Sequence, residues 1–253
     1  MNFKSIILEK KEGIAKITLN RPEALNALNE QVFSEIVAAL EDIAKDESVG
    51  AVVITGSGRA FSAGMDIKTI RARGTGAGSG VDTNRIARQA IEAIEKLPKP
   101  VIAMINGYCL TGALEVAVAC DVIIAAENAV FGDTHARWGL RPTWGLSQRL
   151  PRAVGVMKAK ELSFTADMIS AQEAERIGLI NKVVPANKLE EATKELAQKM
   201  LANSRGSIAA YKYLINEGMK TDLATALRIE AEANITIEDS QERLQSFGKG
   251  KGA

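Results

Sequence analysis

Short apolar runs alternate with amphipathic stretches along the first half of the chain. Residues 6–9 and 14–19 predict a strand pair closed near Glu12-Gly13. Asn29 is placed to cap a helix whose apolar face carries Phe33, Ile36, Val37, Leu40 and Ile43. Residues 51–55 (AVVIT) form an uninterrupted apolar run, the pattern of a strand covered on both faces. Asp82 or Thr83 is expected to open a helix with Ile86, Ala90, Ile94 and Leu97 on one side. Residues 101–105 and 122–125 read as further buried strands. Strands separated by helices imply parallel crossovers and an α/β layered core.

After Pro151 the pattern changes. Ser170 and Glu173 have the spacing of a capping box that opens a short helix, and Gly178 is placed to end it. From Asn187 onward the pattern is helical throughout. One stripe carries Leu189, Ala192, Leu196 and Met200, another Ile208, Tyr211 and Leu214, and a third Leu223, Leu227 and Ile235. Such a tail must pack on the core, on itself or on another subunit. Residues 73–80 (RGTGAGSG) have glycine at every second position and read as a mobile surface loop. No Gly-Lys-Ser/Thr follows, so this is not a phosphate loop.

Composition narrows the partners. Lys+Arg (32) nearly cancel Asp+Glu (31), so no global charge points to nucleic acid or an anionic membrane. The apolar run at the start is too short for a signal peptide or a spanning helix, and no longer stretch is free enough of charge. Cys109 and Cys120 lie in apolar runs without metal-ligand or CxxC spacing, which fits buried thiols in a cytoplasmic protein.

Several segments could carry chemistry. Residues 56–61 (GSGRAF) begin like a dinucleotide fingerprint, but Phe61 stands where the third glycine is needed, so a tight turn after a strand is the simpler reading. Gly64 before Met65 lets the backbone turn sharply and aim a peptide N–H into a cleft. From Gly112 to Cys120 the chain reads as a helix apolar nearly all round, with Glu115 as its only ionisable residue. A lone buried carboxylate is costly unless paired or used. Glu115 therefore either caps its own helix or serves as a general base. The Gly112 N–H, at the start of that helix, has no intrahelical acceptor and can stabilise developing negative charge. His135 is the single histidine of the chain. A lone histidine near charged residues is more often structural than catalytic. A Ser–His–Asp triad using Asp133 stays open, although no GxSxG supports it.

These segments occur in the order and spacing of the crotonase (enoyl-CoA hydratase/isomerase) superfamily, which the chain resembles over roughly residues 10–247. The resemblance is carried by residues 20–28 (NRPEALNAL), 61–68 (FSAGMDIK), 98–107 (PKPVIAMING), 112–121, 148–152 (QRLPR) and 169–180 (ISAQEAERIGLI). It implies a spiral of ββα units over residues 1–190, holding the acyl-CoA site. It also implies a helical oligomerisation region over residues 191–253, used in a homotrimer or a dimer of trimers. The thioester carbonyl oxygen would sit between the N–H groups of Met65 and Gly112, an oxyanion hole. Ala24, Asn26, Ala27 and Leu28, with Ala63, Gly64, Met65, Asp66, Ile67 and Lys68, would line the coenzyme A, Lys68 near its phosphates. Coenzyme A enters as part of the substrate; no prosthetic group and no metal are expected.

The chain departs from the family pattern in one place that bears on the reaction. Hydratases of the family use two glutamates. Glu115 matches the one that activates water; at the second position residues 131–135 (FGDTH) put His135. Histidine there either holds the water or donates the proton, or else spoils the water site. Isomerases typically keep the second glutamate, which counts against that activity. Thr143-Trp144-Gly145 adds bulk where many members carry small residues, so Trp138 and Trp144 either shape an acyl pocket or pack in the core. The basic residues of the tail 247–252 lack the usual family ending. The expected function is an enoyl-CoA hydratase-type lyase of fatty acid metabolism with Glu115 as base and His135 as auxiliary. The alternatives are another crotonase reaction on acyl-CoA (isomerase, decarboxylase, thioesterase) or a silent acyl-CoA-binding protein.

Overall fold

The structure is a computed structural model that describes residues 2–66 and 81–247. The first strands, β1 (Ile6–Lys11) and β2 (Ile14–Leu19), pair antiparallel through the turn at Glu12-Gly13, with Ile6 opposite Leu19. Helix α1 (Glu30–Lys45) starts at Asn29, whose side chain accepts from the Val32 N–H at 3.0 Å. Val32, Phe33, Ile36, Leu40 and Ile43 are its buried face. Glu35 on α1 is buried too, because its carboxylate accepts the backbone N–H groups of Lys4, Ser5 and Ile6 at 2.8, 2.8 and 3.1 Å.

Three similar turns of chain follow. In each, a long strand of a first sheet leads into a short strand of a second sheet and then into a helix. β3 (Ala51–Gly56) leads to β4 (Ala60–Ser62), and helix α2 (Val81–Lys96) lies beyond them. β5 (Val101–Ile105) leads to β6 (Tyr108–Leu110) and α3 (Gly112–Ala117). β7 (Val122–Ala126) leads to β8 (Val130–Gly132), followed by a 3-10 turn over Ala136–Trp138, α4 (Leu146–Val154) and α5 (Val156–Thr165). β9 (Met168–Ser170), α6 (Ala171–Arg176) and β10 (Lys182–Val184) complete the layers. The sheets run β1-β2-β3-β5-β7-β10 and β4-β6-β8-β9, with parallel pairing from β2 through β10 and from β4 through β8. This is the expected spiral of ββα turns.

The uninterrupted apolar runs have the predicted cause. Val52 and Ile54 of β3 face one cluster, with α1 and α2, whereas Ala51 and Val53 face a second cluster. Helix α7 (Leu189–Leu201) closes that second face with Leu189 and Ala197, against Ile102, Met104 and Ile124. Helix α7 therefore spans residue 190 and belongs to the packing of the sheet. Helix α8 (Arg205–Gly218) is anchored by Lys212, whose buried ammonium donates to Ile94 O, Lys99 O and Asp121 Oδ2 at 2.9, 3.1 and 2.8 Å. Tyr211 and Ile215 of α8, and Leu223 and Leu227 of α9 (Leu223–Glu232), are exposed. Helix α10 (Ser240–Ser246) ends the described chain.

Two local expectations are corrected. The chain is already helical at Val81, ahead of Asp82 and Thr83, and the Thr83 hydroxyl turns to Glu30 Oε2, at 3.5 Å. Ser170 caps α6 by accepting from the Glu173 N–H at 3.2 Å, but the reciprocal half of the box is not made. The Glu173 carboxylate is drawn to the Arg176 guanidinium at 2.7 Å and to Lys158 at 3.6 Å, charged donors that outcompete a backbone N–H. Residues 73–80 lie outside the described residues, as does the tail from 248.

Candidate active site

The site gathers where β6, α3, the segment after β4 and the turns after β8 meet. Thr111, between β6 and α3, has φ 55° and ψ −110°, a conformation a β-branched residue rarely adopts. It is held there by contacts to the strand beside it. Its N–H donates to Gly132 O at 2.7 Å, and its hydroxyl lies 2.5 Å from that of Thr134. The strained link sets the direction of α3, whose first N–H belongs to Gly112.

The segment after β4 reaches the same point. Leu28 bridges Met65 in parallel, with the Leu28 N–H donating to Gly64 O at 2.7 Å and the Asp66 N–H to Leu28 O at 2.8 Å. In that pattern the Met65 N–H faces away from Leu28. Gly64 (φ 89°) is pressed against the start of α3: a Cβ on it would lie 2.7 Å from Leu110 O and 3.1 Å from Gly112 N. A Cβ on Gly112 would lie 3.4 Å from Met65 N. The structure thus brings together the two N–H groups expected to form an oxyanion hole.

Glu115, one turn into α3, is 1% exposed. Its carboxylate does not turn back to cap its own helix, because backbone donors from a distant loop reach it first. Oε1 accepts from the Trp144 N–H at 2.9 Å and the Leu146 N–H at 3.1 Å. Oε2 lies 3.7 Å from Nε2 of His135. Burial pushes the Glu115 carboxyl above its ordinary value; the Leu146 and Trp144 N–H groups and His135 oppose that shift without cancelling it.

His135 is 8% exposed, and its Nδ1 lies 2.6 Å from Oδ1 of Asp133, which also accepts the His135 backbone N–H at 3.2 Å. Burial acts to raise the Asp133 carboxyl, but hydrogen bonds from His135 and Ser163 outweigh it and hold the group below its ordinary value. Trp144 is buried, meets Phe33 edge to face (centroids 4.9 Å apart, 80°), and donates its indole N–H to Asn84 Oδ1 at 3.0 Å. Trp138 is 67% exposed and takes no part in that packing.

The segments expected to line a coenzyme lie side by side. The Ala63 N–H donates to Leu25 O at 2.9 Å, and Arg21 links them by donating to Ala27 O at 2.7 Å and pairing with Asp66 at 3.0 Å. Ala24 ends a 3-10 turn, and Ala24, Ala27 and Ala63 are half-buried. Asn26 and Leu28 are buried. The Asn26 side chain is occupied within the protein, donating to Ser57 O and Ala60 O at 2.8 Å each and accepting from the Arg21 N–H at 2.9 Å, so it shapes the turn. Ile67 and Lys68 lie outside the described residues. Asn84 is the neighbour of the site that no sequence argument assigned to it, and Asp133, open in the sequence only as a triad member, is tied to His135. The signal for Asp133 was its spacing from His135, since i and i+2 share a face as a strand runs out.

Among the described residues there is no group of three or more His, Cys, Asp or Glu that could hold a metal ion. None of the described helices is long and apolar enough to cross a membrane.

Comparison with known proteins gives one answer. The family profile described as enoyl-CoA hydratase/isomerase matches residues 9–250. The short-chain-enoyl-CoA hydratase of Clostridium acetobutylicum is 41% identical over 253 positions, covering 98% of this chain and 95% of that protein. The crotonyl-CoA hydratase of Syntrophomonas wolfei is 40% identical over 251 positions, covering 98% and 96%. A crystal structure of an enoyl-CoA hydratase from Bacillus anthracis superposes with a TM-score of 0.91 at 38% identity, covering 97% and 96% of the two chains. The layered ββα spiral defines a crotonase-type architecture. The chain belongs to the enoyl-CoA hydratase/isomerase family.

Proposed function

We propose that this chain is an enoyl-CoA hydratase that adds water across the 2,3-double bond of a short enoyl-CoA. The observation that carries the reading is the pairing of Glu115 Oε2 with His135 Nε2, 3.7 Å apart, beside the start of α3. Two acid–base groups at that separation can address one bound water and one carbon next to it. The names of the relatives, which act on short-chain enoyl-CoA and crotonyl-CoA, support the substrate class.

The thioester oxygen accepts from the Met65 and Gly112 N–H groups. Glu115 takes a proton from water as its oxygen bonds to the β carbon. The electron pair of the double bond moves to the thioester oxygen, forming an enolate that the two donors stabilise. Losing one such donor costs about 3–4 kcal/mol in comparable sites. Protonated His135 delivers its Nε2 proton to the α carbon, and the proton gained by Glu115 then returns to His135, which resets the pair. The coenzyme lies along residues 24–28 and 63–66, where its binding energy positions the acyl group. No prosthetic group takes part. The exposed apolar faces of α8 and α9 are covered in a homotrimer or a dimer of trimers, formed by residues 191–253 in the cytoplasm.

The test is the loss of conjugated enoyl-thioester absorbance when the protein meets crotonyl-CoA or a longer enoyl-CoA, beside a Glu115→Gln control. Rapid loss that vanishes in the variant supports the reading. Tight acyl-CoA binding without loss in the wild type overturns it in favour of another crotonase reaction or a silent binder.

A further inference from the structure

We propose that Asp133 is a positioning residue that fixes His135 as the Nδ1–H tautomer and turns Nε2 toward Glu115, making the second acid–base group of the site an Asp–His pair. The tautomer follows from donor and acceptor chemistry. An ionised carboxylate only accepts, so the 2.6 Å contact to Oδ1 requires the proton on Nδ1. The same oxygen accepts the His135 backbone N–H at 3.2 Å, so the ring and its own peptide are tied to one atom and rotation of the ring away from Glu115 is opposed.

The surroundings keep Asp133 ionised and aimed. It is 3% exposed, and a buried carboxylate persists only with partners. Ser163 of α5 adds to His135 in holding the Asp133 carboxyl below its ordinary value. The nearest cation in sequence, Arg137, turns away and donates to Ala166 O at 2.7 Å, so it does not compete with the imidazole. Among the described residues, the charged or titratable groups that pair with the ring are Asp133, at Nδ1, and Glu115 of α3, at Nε2. A purely structural role is the alternative: Asp133 accepting the N–H two residues on makes a local turn before the 3-10 segment. That role would affect stability and leave the tautomer unchanged.

The chain has one histidine, so its imidazole nitrogens can be read without assignment in protein labelled with 15N-histidine and carrying no histidine tag. The expected result is Nδ1–H in neutral wild-type imidazole. In Asp133→Asn the opposite tautomer or a mixture is expected, because the carboxamide can donate to Nδ1. The kinetic part rests on the hydratase reading. There, Asp133→Asn is expected to lower kcat by about 10²-fold or more with little change in KM. In a His135→Gln background the same substitution should add no further loss, because it acts only through the ring. Thermal unfolding of each variant checks that the fold is kept. An Nε2–H tautomer in wild type, an unchanged tautomer in Asp133→Asn, or losses that multiply in the double variant would overturn the proposal. The tautomer measurement needs no turnover, so it stands or falls separately from hydration.

Discussion

The indole of Trp144 lies against the Cα of Gly112: a methyl group added there would be 2.5 Å from Cζ3 and 3.2 Å from Cη2. The ring is held from two other sides by Phe33 and Asn84, so it cannot swing away freely. Gly112→Ala must therefore displace either the ring or the first turn of α3. Either shift moves the Gly112 N–H relative to that of Met65. We predict that kcat on crotonyl-CoA falls by about 10²-fold or more, the scale for a lost oxyanion donor. Steady-state kinetics and a melting curve check this. A variant with wild-type kcat would mean that the Gly112 donor is not needed.

Glu115→Gln separates chemistry from stability. Its Oε1 can still accept from the Trp144 and Leu146 N–H groups, so the loop stays in place. As a base it is lost, and kcat should drop by about 10²–10⁴-fold. Burial raises the Glu115 carboxyl. A raised folded-state value gives a contribution that is fully present below the unfolded value and lost as pH rises through the folded one. Above the folded-state value the ionised wild-type group is thus a cost, and there the glutamine variant should melt higher. That advantage should shrink as pH is lowered through the folded value, which melting curves across pH would show.

The parts of the fold written in contiguous sequence were legible, and the parts made by distant chain were not. The apolar run of β3 announced a strand covered on both faces, and Glu115 stood out as the one ionisable residue of α3. What satisfies Glu115 could not be read, because its donors at Trp144 and Leu146 come from a loop 29 and 31 residues away. That loop is shaped by Gly145 at φ 112°. The short strands of the second sheet were invisible, since three residues such as β4 show no period. The meeting of Met65 with Gly112 was suggested by family resemblance alone, because nothing in either segment encodes the other's position. Asp133 was in view only as a possible triad member; its tie to His135 needed the turn after β8.

Lys212 joins the helical tail to the core through three acceptors. Replacing it with Met keeps the length of the stem but leaves Asp121 beside two backbone carbonyls without their donor. Removing one partner of a buried ion pair costs about 3–5 kcal/mol. Asp121 is partly exposed on its outer side, so a loss near about 3 kcal/mol is expected, read as a lower urea midpoint. Hydrogen exchange should quicken in α8 before it does in β3 or β5. Uniform protection across α8 in the variant would show that another contact anchors the tail.

Glu35 ties the start of β1 to α1 by accepting three consecutive backbone N–H groups, of which those of Ser5 and Ile6 belong to buried residues. Gln31 also donates to it, at 2.7 Å. Glu35→Ala strands those donors, and with about 1–3 kcal/mol for a buried group left unpaired, a total loss of about 3 kcal/mol is expected. Glu35→Gln keeps one acceptor oxygen and should lose about 1 kcal/mol. Burial acts to raise the Glu35 carboxyl, but the hydrogen bonds from Lys4, Gln31, Ser5 and Ile6 together hold it below its ordinary value of 4.5. A depressed folded-state value gives stability that is present above the unfolded value and lost as pH falls through the folded one. The gap between wild type and Glu35→Gln should therefore be full at neutral pH and close as the pH drops below about 4.5, the ordinary glutamate range. Urea unfolding at several pH values measures that gap directly. A gap that stayed constant into acid would mean that the three N–H bonds do not depend on the charge of Glu35.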